Sequence, residues 1–555
     1  MIISEKNISK GNHLEADICI IGSGPAGISI ALELLKTNKK IIMLTGGGYH
    51  ETAGNQDLHK GFVDYLTPHE PLDENRRRVF GGAGTAWGGR CIPLDTIDFK
   101  KRSWIPHSGW PITFDELKPY YVKASNYLKS GAFHYDAPAG FKKITADEII
   151  DGIDNEDIIS SKLERWSTPV NFAKDYASLL DKNEFIQVIL DAHLLSFETE
   201  DGKSIHSVKT RIGNSDIFIK SNTFILACGG IENPRLLLAS KSQFHPTGLG
   251  NKYDIVGRYY MSHFFGTYAT LEPKNRENII YDFEKDNTGV YFRRRWWITE
   301  EAQNKNEIGN AIFFLHKAND QSGHRDILFS IVFITKFFIS LISQKSINSI
   351  KGKWIKSKED VLAHIKLVLT EGWGQLPTII KLASKRFQKR RLPFVLPNVN
   401  SEKLGLYFQT EHMPNPNSRI SLDDNSVDAL GIPRVNVHIE FNELDKKTII
   451  SAHNFFMERY AVANVGSWSY TESGLNKFID EKINAFNSAA HHLGTTRMSD
   501  DPTSGVVDRN CLVHGMTNLY VAGSSIFPTG GHVNPTLTIV ALAIRLAEHL
   551  NQVNE

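Results

Sequence analysis

The chain has 555 residues, with 63 Lys and Arg against 62 Asp and Glu, a net charge of +1. That balance sets up no field toward nucleic acid or an anionic membrane, so a nucleic-acid partner is not expected. With 41% hydrophobic and 23% charged residues, the usage is that of an ordinary globular protein; disorder, collagen and coiled coil are excluded as whole-chain descriptions.

Met1 to Ala16 is polar and mixed in charge, without an apolar h-region or a twin-Arg pair, so no export signal is read and a cytoplasmic protein is expected. The four cysteines (Cys19, Cys91, Cys228, Cys511) include no CxxC pair, which argues against a structural zinc site and a disulfide framework. Asp17–Ile21 is a short apolar run followed by Gly22-Ser-Gly-Pro-Ala-Gly27, a helical pattern from Ile28 to Lys36, and a second apolar run at Ile41–Leu44. The order strand, glycine turn, helix, strand makes a βαβ unit. Gly22 permits the tight turn, Gly24 lets a pyrophosphate approach the backbone, and Gly27 lets the helix pack close to the sheet. Pro25 and Ala26, in the turn before the helix, are candidate contacts of the same ligand, and the helix N-terminus favours phosphate. An acidic residue is expected to end the second strand and bind ribose, but the chain has Thr45 there, followed by three glycines. A neutral residue leaves an NADP-linked reductase open, although no arginine follows within the next few positions to bind a 2′-phosphate.

The second motif is Gly81-Gly-Ala-Gly-Thr-Ala-Trp-Gly-Gly-Arg90. Glycines so dense around a Trp fit a backbone that presses on a flat ligand, and Gly81, Gly82, Thr85, Trp87, Gly88 and Gly89 are candidate contacts. From Phe185 to Ile219 short apolar pieces alternate with turn signals and read as an antiparallel meander. A buried strand, Thr223–Ala227, ends at Cys228-Gly-Gly230, offering Ala227 and Gly229 to the same ligand. The region 266–404 carries no recognisable motif. Its apolar run Ile327–Ile342 is too short to span a membrane and reads as a buried helix or lid, with a membrane-surface contact as the alternative. The basic run Lys385–Arg391 reads as solvated surface.

The last stretch has a strand at Leu519–Ala522, a Gly-Ser-Ser turn offering Gly523 and Ser524, and a helix from Pro535 to Leu550. His491 and Asn534 are the candidate catalytic pair: a histidine can take the proton of an alcohol while an asparagine hydrogen-bonds the same oxygen. Asn534, Pro535 and Thr536 are also candidate cofactor contacts. His492 reads as a packing or loop residue. Without a carboxylate or cysteine at ligand spacing, no metal site is expected.

Taken together, the GxGxxG turn, the GGAGTAWGG loop, Leu226–Arg235 and the C-terminal stretch resemble the glucose-methanol-choline (GMC) oxidoreductases, and the tail from Val506 to Thr538 is similar to their pyranose-oxidase-like branch. The resemblance implies an α/β (α+β overall) fold. A Rossmann-like, doubly wound FAD domain would take 1–120, 215–265 and 480–555; a substrate domain with a large antiparallel sheet would take 121–214 and 266–479. It further implies that His491 is the base and Asn534 its partner, with hydride passing from substrate carbon to flavin N5. Related pyranose oxidases carry a flavin-linking histidine just before the loop Trp; Ala86 stands there, so FAD is expected to be held non-covalently. The implied substrate is a small-molecule alcohol or carbohydrate, as in a tailoring step of aminoglycoside biosynthesis, with O2 or another carrier as electron acceptor. A long-chain or membrane-associated alcohol is the alternative, and a non-catalytic flavin binder a third reading.

Overall fold

The computed structural model of the chain describes residues 1–4, 13–64, 69–137, 148–275, 283–317, 403–483 and 491–553, with shorter stretches between them that include a helix at Lys358–Glu371. Two eight-stranded sheets carry the fold. The first runs in the order Ile2–Ile3, Ile186–Ile189, Ile41–Leu44, His13–Ile21, Ser215–Leu226, Ser207–Ile212, Ala192–Glu198. All pairings are parallel until the last two strands, which are antiparallel. Ile41–Leu44 is buried at every position, as expected of a parallel strand covered on both faces. Helix Pro25–Leu34 follows the glycine turn directly, and its neighbour against the sheet is the C-terminal helix Thr536–Val553.

Two expectations change here. The meander and the buried strand after it are not separate: Ser215–Leu226 is one twelve-residue strand. Its first half pairs antiparallel with Ser207–Ile212 and its last three residues pair parallel with Leu519–Val521, while its other edge lies along His13–Ile21. Strands between 186 and 212 therefore sit in the sheet of the glycine turn, where the sequence had placed them with the substrate domain. Their antiparallel turns are local, but the sheet they join is decided by the distant pairing of Phe224 with Cys19 and with Leu519.

The second sheet is antiparallel throughout and runs Gly466–Ser469, His263–Pro273, Leu404–Glu411, Ala311–Lys317, Tyr291–Ile298, Ile158–Trp166, Arg90–Cys91, with Glu284–Lys285 beside Tyr291–Ile298. It takes four of its strands from the stretch between 263 and 317, which sequence alone could not place. Tyr291–Ile298 is buried at all eight positions although it contains Arg293, Arg294 and Arg295. Buried cations persist only when paired, and Glu164 meets Arg293 while Glu284 meets Arg294. A three-stranded sheet of Phe62–Val63, Arg419–Val427 and Pro433–His438 completes the strands among the described residues.

The run Ile327–Ile342 lies outside the described residues apart from Ser330, Ile331 and Ile334; Ser330 Oγ meets His364 Nδ1 at 2.8 Å. The basic run at 385–391 lies outside them apart from Arg390, which donates to the carbonyl of Lys129 at 2.8 Å. Among the described residues no helix is long and apolar enough to cross a membrane.

Candidate active site

The second glycine loop runs into Arg90–Cys91, the edge strand of the second sheet, and a cavity of about 720 Å³ is walled by residues of both large sheets, among them Ile21, Leu44 and Arg90. Two helix N-termini open on it, through Gly24, Pro25 and Ala26 at one and Asn534, Pro535 and Thr536 at the other. Each supplies unbonded N–H groups and a partial positive charge, and no side chain caps the first.

Gly22 sits at φ +110°, where a Cβ would come 2.5 Å from the carbonyl oxygen of Ala227. Gly24 is different: its Cβ would meet nothing within 4 Å, and the same holds for Gly88, Gly229 and Gly523, all in the cavity wall. Four glycines that leave open space along one cavity form a cradle that side chains would fill. The Oδ1 atom of Asn534 is buried there without a hydrogen-bond partner in the protein. These features fit a dinucleotide with its pyrophosphate at the first helix.

Thr45, Gly82, Trp87, Ala227 and Ser524 also line the cavity, as does Ala86. Four expected contacts stand behind the wall. Gly27 packs against Gly22, with a Cβ position 1.9 Å from its carbonyl oxygen; Gly81 faces Ala173, and Gly89 faces Pro169. Thr85 spends its hydroxyl inside the loop, donating to the carbonyl of Gly82 and accepting from Arg77, both at 2.8 Å. Their work is to hold the loop in shape.

In the cavity wall, His491 Nε2 lies 3.0 Å from Asn534 Nδ2. Burial drives the His491 pKa down to about 3, with the nearby charge of Arg90 acting in the same direction and Glu70 against it. The ring is therefore neutral and basic in form. Arg90, in the cavity wall, is bound to Glu164 and donates to Gln409 Oε1 at 3.1 Å. Burial would raise the Glu164 carboxyl, but Arg293 and Arg90 hold it below its ordinary value. Two residues before Asn534, His532 Nε2 meets Asp95 Oδ2 at 3.0 Å, which ties the loop to the second sheet's edge.

His492 also lines the cavity, which the reading of it as a packing residue did not anticipate. Its companions are His69 and Glu70, the three offering ligand atoms within 4.8 Å of one another. The carboxylate missing from the local sequence is thus supplied in space. Both ring nitrogens of His69 are engaged, Nδ1 with the Glu70 carbonyl and Nε2 with the Tyr260 hydroxyl, each at 2.8 Å.

Sequence reasoning also missed Arg76, Arg77 and Arg78, which line the cavity beside Thr45. Arg78 Nε donates to the carbonyl of Gly46 at 3.2 Å, Arg77 pairs with Glu51, and Arg76 with Glu232 at 3.3 Å. The signal was present as three consecutive arginines just before the second glycine motif. Asn233 was likewise overlooked; it joins the strand end to the Gly-Ser-Ser turn by accepting from Cys228 N at 2.7 Å and donating to Ser525 Oγ at 2.9 Å.

The sequence model of the family described as GMC oxidoreductase matches residues 414–543. The 6'''-hydroxyparomomycin C oxidase of Streptomyces lividus is 40% identical over 608 residues, covering 96% of this chain and 92% of that protein. The 2-methyl-1,2-propanediol dehydrogenase of Mycolicibacterium austroafricanum is 21% identical over 602 residues, covering 97% and 95%. Among solved structures, formate oxidase aligns with a TM-score of 0.54 at 14% identity, over 98% of this chain and 99% of that one, which speaks to the fold alone.

Proposed function

The chain belongs to the GMC oxidoreductase family, and from that premise we propose that it oxidises a CH–OH group of a sugar or aminosugar to the carbonyl, with His491 as base and Asn534 as the group that orients the hydroxyl. The observation that carries this reading is the 3.0 Å contact between His491 Nε2 and Asn534 Nδ2 at the cavity wall. A substrate oxygen that displaces this direct contact donates its hydrogen to Nε2 and accepts from Nδ2. Because His491 is neutral, its lone pair is ready to take the proton as the carbon is oxidised. FAD, the cofactor expected of the family, supplies when bound the acceptor for the hydrogen and two electrons leaving that carbon. Arg90, held by Glu164, leaves positive charge near the base. That charge keeps the resting ring unprotonated and stabilises negative charge developing on the substrate oxygen.

Gly22, Gly24, Thr45, Gly82, Trp87, Gly88, Ala227, Gly229, Gly523 and Ser524 would hold the dinucleotide, and Gly27, Gly81, Thr85 and Gly89 support them from behind. Binding would be non-covalent: Ala86, beside Trp87 in the wall, has no nucleophile. Acid precipitation should then leave the yellow colour in the supernatant. The four free thiols support a cytosolic setting.

For the substrate, the relative that is 40% identical along nearly the whole chain supports an aminoglycoside, and a tailoring oxidation in its biosynthesis. The test is anaerobic mixing of holoenzyme with paromomycin-type aminoglycosides, free sugars and long-chain alcohols, following the flavin absorbance. Bleaching by an aminoglycoside or sugar in plain buffer is the expected result. Bleaching by long-chain alcohols alone would overturn the substrate assignment, and no bleaching by any alcohol would overturn the catalytic reading.

A further inference from the structure

His491 is held at both ring nitrogens. While Nε2 meets Asn534, its Nδ1 lies 2.9 Å from Nδ1 of His263, the two rings edge to face at 4.9 Å and 89°. His263 is fully buried, opens the strand His263–Pro273 of the second sheet opposite Glu411, and is not part of the cavity wall. Its place is fixed by backbone. Met261 and Leu493 exchange two N–H···O bonds of 3.1 and 3.0 Å, forming an antiparallel bridge. In an antiparallel pair the residue two after Met261 faces the residue two before Leu493, with both side chains back on the same face, and those residues are His263 and His491. The segments cannot separate easily: a Cβ on Gly494 would come 2.3 Å from the carbonyl oxygen of Tyr259.

Two ring nitrogens at hydrogen-bond distance share one hydrogen, since two donors or two lone pairs would repel. The amide nitrogen of Asn534 can only donate, so Nε2 of the neutral His491 ring is the acceptor and Nδ1 carries the hydrogen. That hydrogen points to His263 Nδ1, which accepts it and keeps its own hydrogen on Nε2.

We propose that His263 is a positioning residue of the reaction, an acceptor that holds His491 in its Nδ1–H form with the Nε2 lone pair turned to the substrate hydroxyl. This rests on the reading of His491 as the base. When Nε2 takes the hydroxyl proton, the ring becomes a cation with a hydrogen on each nitrogen, and the Nδ1–H···Nδ1 bond to neutral His263 persists without rearrangement. A neutral imidazole orients the ring without adding a charge beside it.

The test compares holoenzymes carrying His263→Phe, His263→Asn and His491→Ala. Phe keeps the ring's bulk and removes the acceptor; the Asn side-chain oxygen restores one. The rate of flavin reduction at saturating substrate should fall at least about tenfold in His263→Phe, with substrate KM and flavin content little changed, and recover substantially in His263→Asn. Wild-type reduction rates in His263→Phe, with His491→Ala inactive, would overturn the positioning role and leave the base intact. If His491→Ala also reduced flavin normally, the base assignment itself would fall. Should His263→Phe fail to retain flavin, 15N spectra of histidine-labelled wild-type protein decide. Hydrogen on Nδ1 of His491 is the expected result, and hydrogen on Nε2 of the resting ring overturns the proposal.

Discussion

Gly82 stands against Gly24: a Cβ on Gly82 would come 3.1 Å from the Cα of Gly24. The two glycine motifs thus form one surface, with Gly24 open to the cavity and Gly82 packed against it in the same wall. Substitution should separate their roles. Gly24→Ala adds a methyl group in open space at φ −72°, so the protein should fold normally. The methyl occupies the path to the helix N-terminus, and the FAD dissociation constant should rise at least about tenfold. Titration of apoprotein by fluorescence quenching measures it, and an unchanged constant would remove the pyrophosphate from this turn. Gly82→Ala, at φ +52°, should cost stability as well.

His491→Ala should lower the rate of flavin reduction by about 10²–10⁴-fold while leaving the flavin bound. Single-turnover stopped-flow under anaerobic conditions reads this step apart from reoxidation. The Ala variant removes the proton acceptor without adding bulk against Asn534, so loss of cofactor is not expected.

The pH dependence of the same step follows from the sign of the His491 shift. A base works when unprotonated, and a pKa near 3 keeps this ring unprotonated throughout the usual range. The rate of flavin reduction should therefore be flat from about pH 5 upward, without the acid limb near 6.5 that an unshifted histidine would give. A limb centred near 6.5 that disappears in His491→Ala would contradict the buried, neutral base.

Stability should respond to acid where activity does not. Burial lowers His193, His453 and His532 to about 4, and His491 and His492 to about 3. In the unfolded chain these rings take protons below about pH 6.5, and in the folded protein they do not. The stability they contribute is complete above 6.5 and is lost as the pH falls toward 3–4, by up to about 1.4 kcal/mol per pH unit for each ring. Asp98, Asp154 and Asp445, whose carboxyls burial raises, work in the opposite direction but are three groups against five. Thermal midpoints of holoenzyme should fall steeply between pH 6 and 4, and a midpoint constant across that interval would refute this account.

Glu164→Gln should destabilise the protein by about 3–5 kcal/mol, because Arg90 and Arg293 both rely on that carboxylate and both are poorly exposed. A double variant that also replaces Arg293 by Met should recover part of the loss. Chemical denaturation of the three proteins gives the comparison, and a neutral single variant would show that solvent or another group compensates the arginines.

The sequence disclosed what local chemistry dictates. Gly22, Gly24 and the helix behind them could be read because turn, phosphate approach and helix start lie within a few residues. His491 and Asn534 were legible only through resemblance to a family, since nothing in either segment requires the other; their contact spans 43 residues. His263 was invisible for a sharper reason. Its partner is set by the register of a two-residue bridge between segments 232 residues apart, Met261 with Leu493. The arginines at 76–78 left a plain charge signal, but a basic triplet is ordinarily solvated surface, and only Glu51 and Glu232, brought in from other elements, show why this one is not.

The strand Leu519–Val521 completes the sheet begun by His13–Ile21, lying against the end of Ser215–Leu226. On the ribosome this order has a cost in time. Roughly 290 residues separate those two partners, and at typical elongation rates roughly 15–60 s pass before the closing strand is made. During that interval the nascent chain carries an open parallel edge with its backbone groups uncovered. Expression of this protein should therefore depend on chaperone supply and on slow, cool synthesis more than its final burial would suggest.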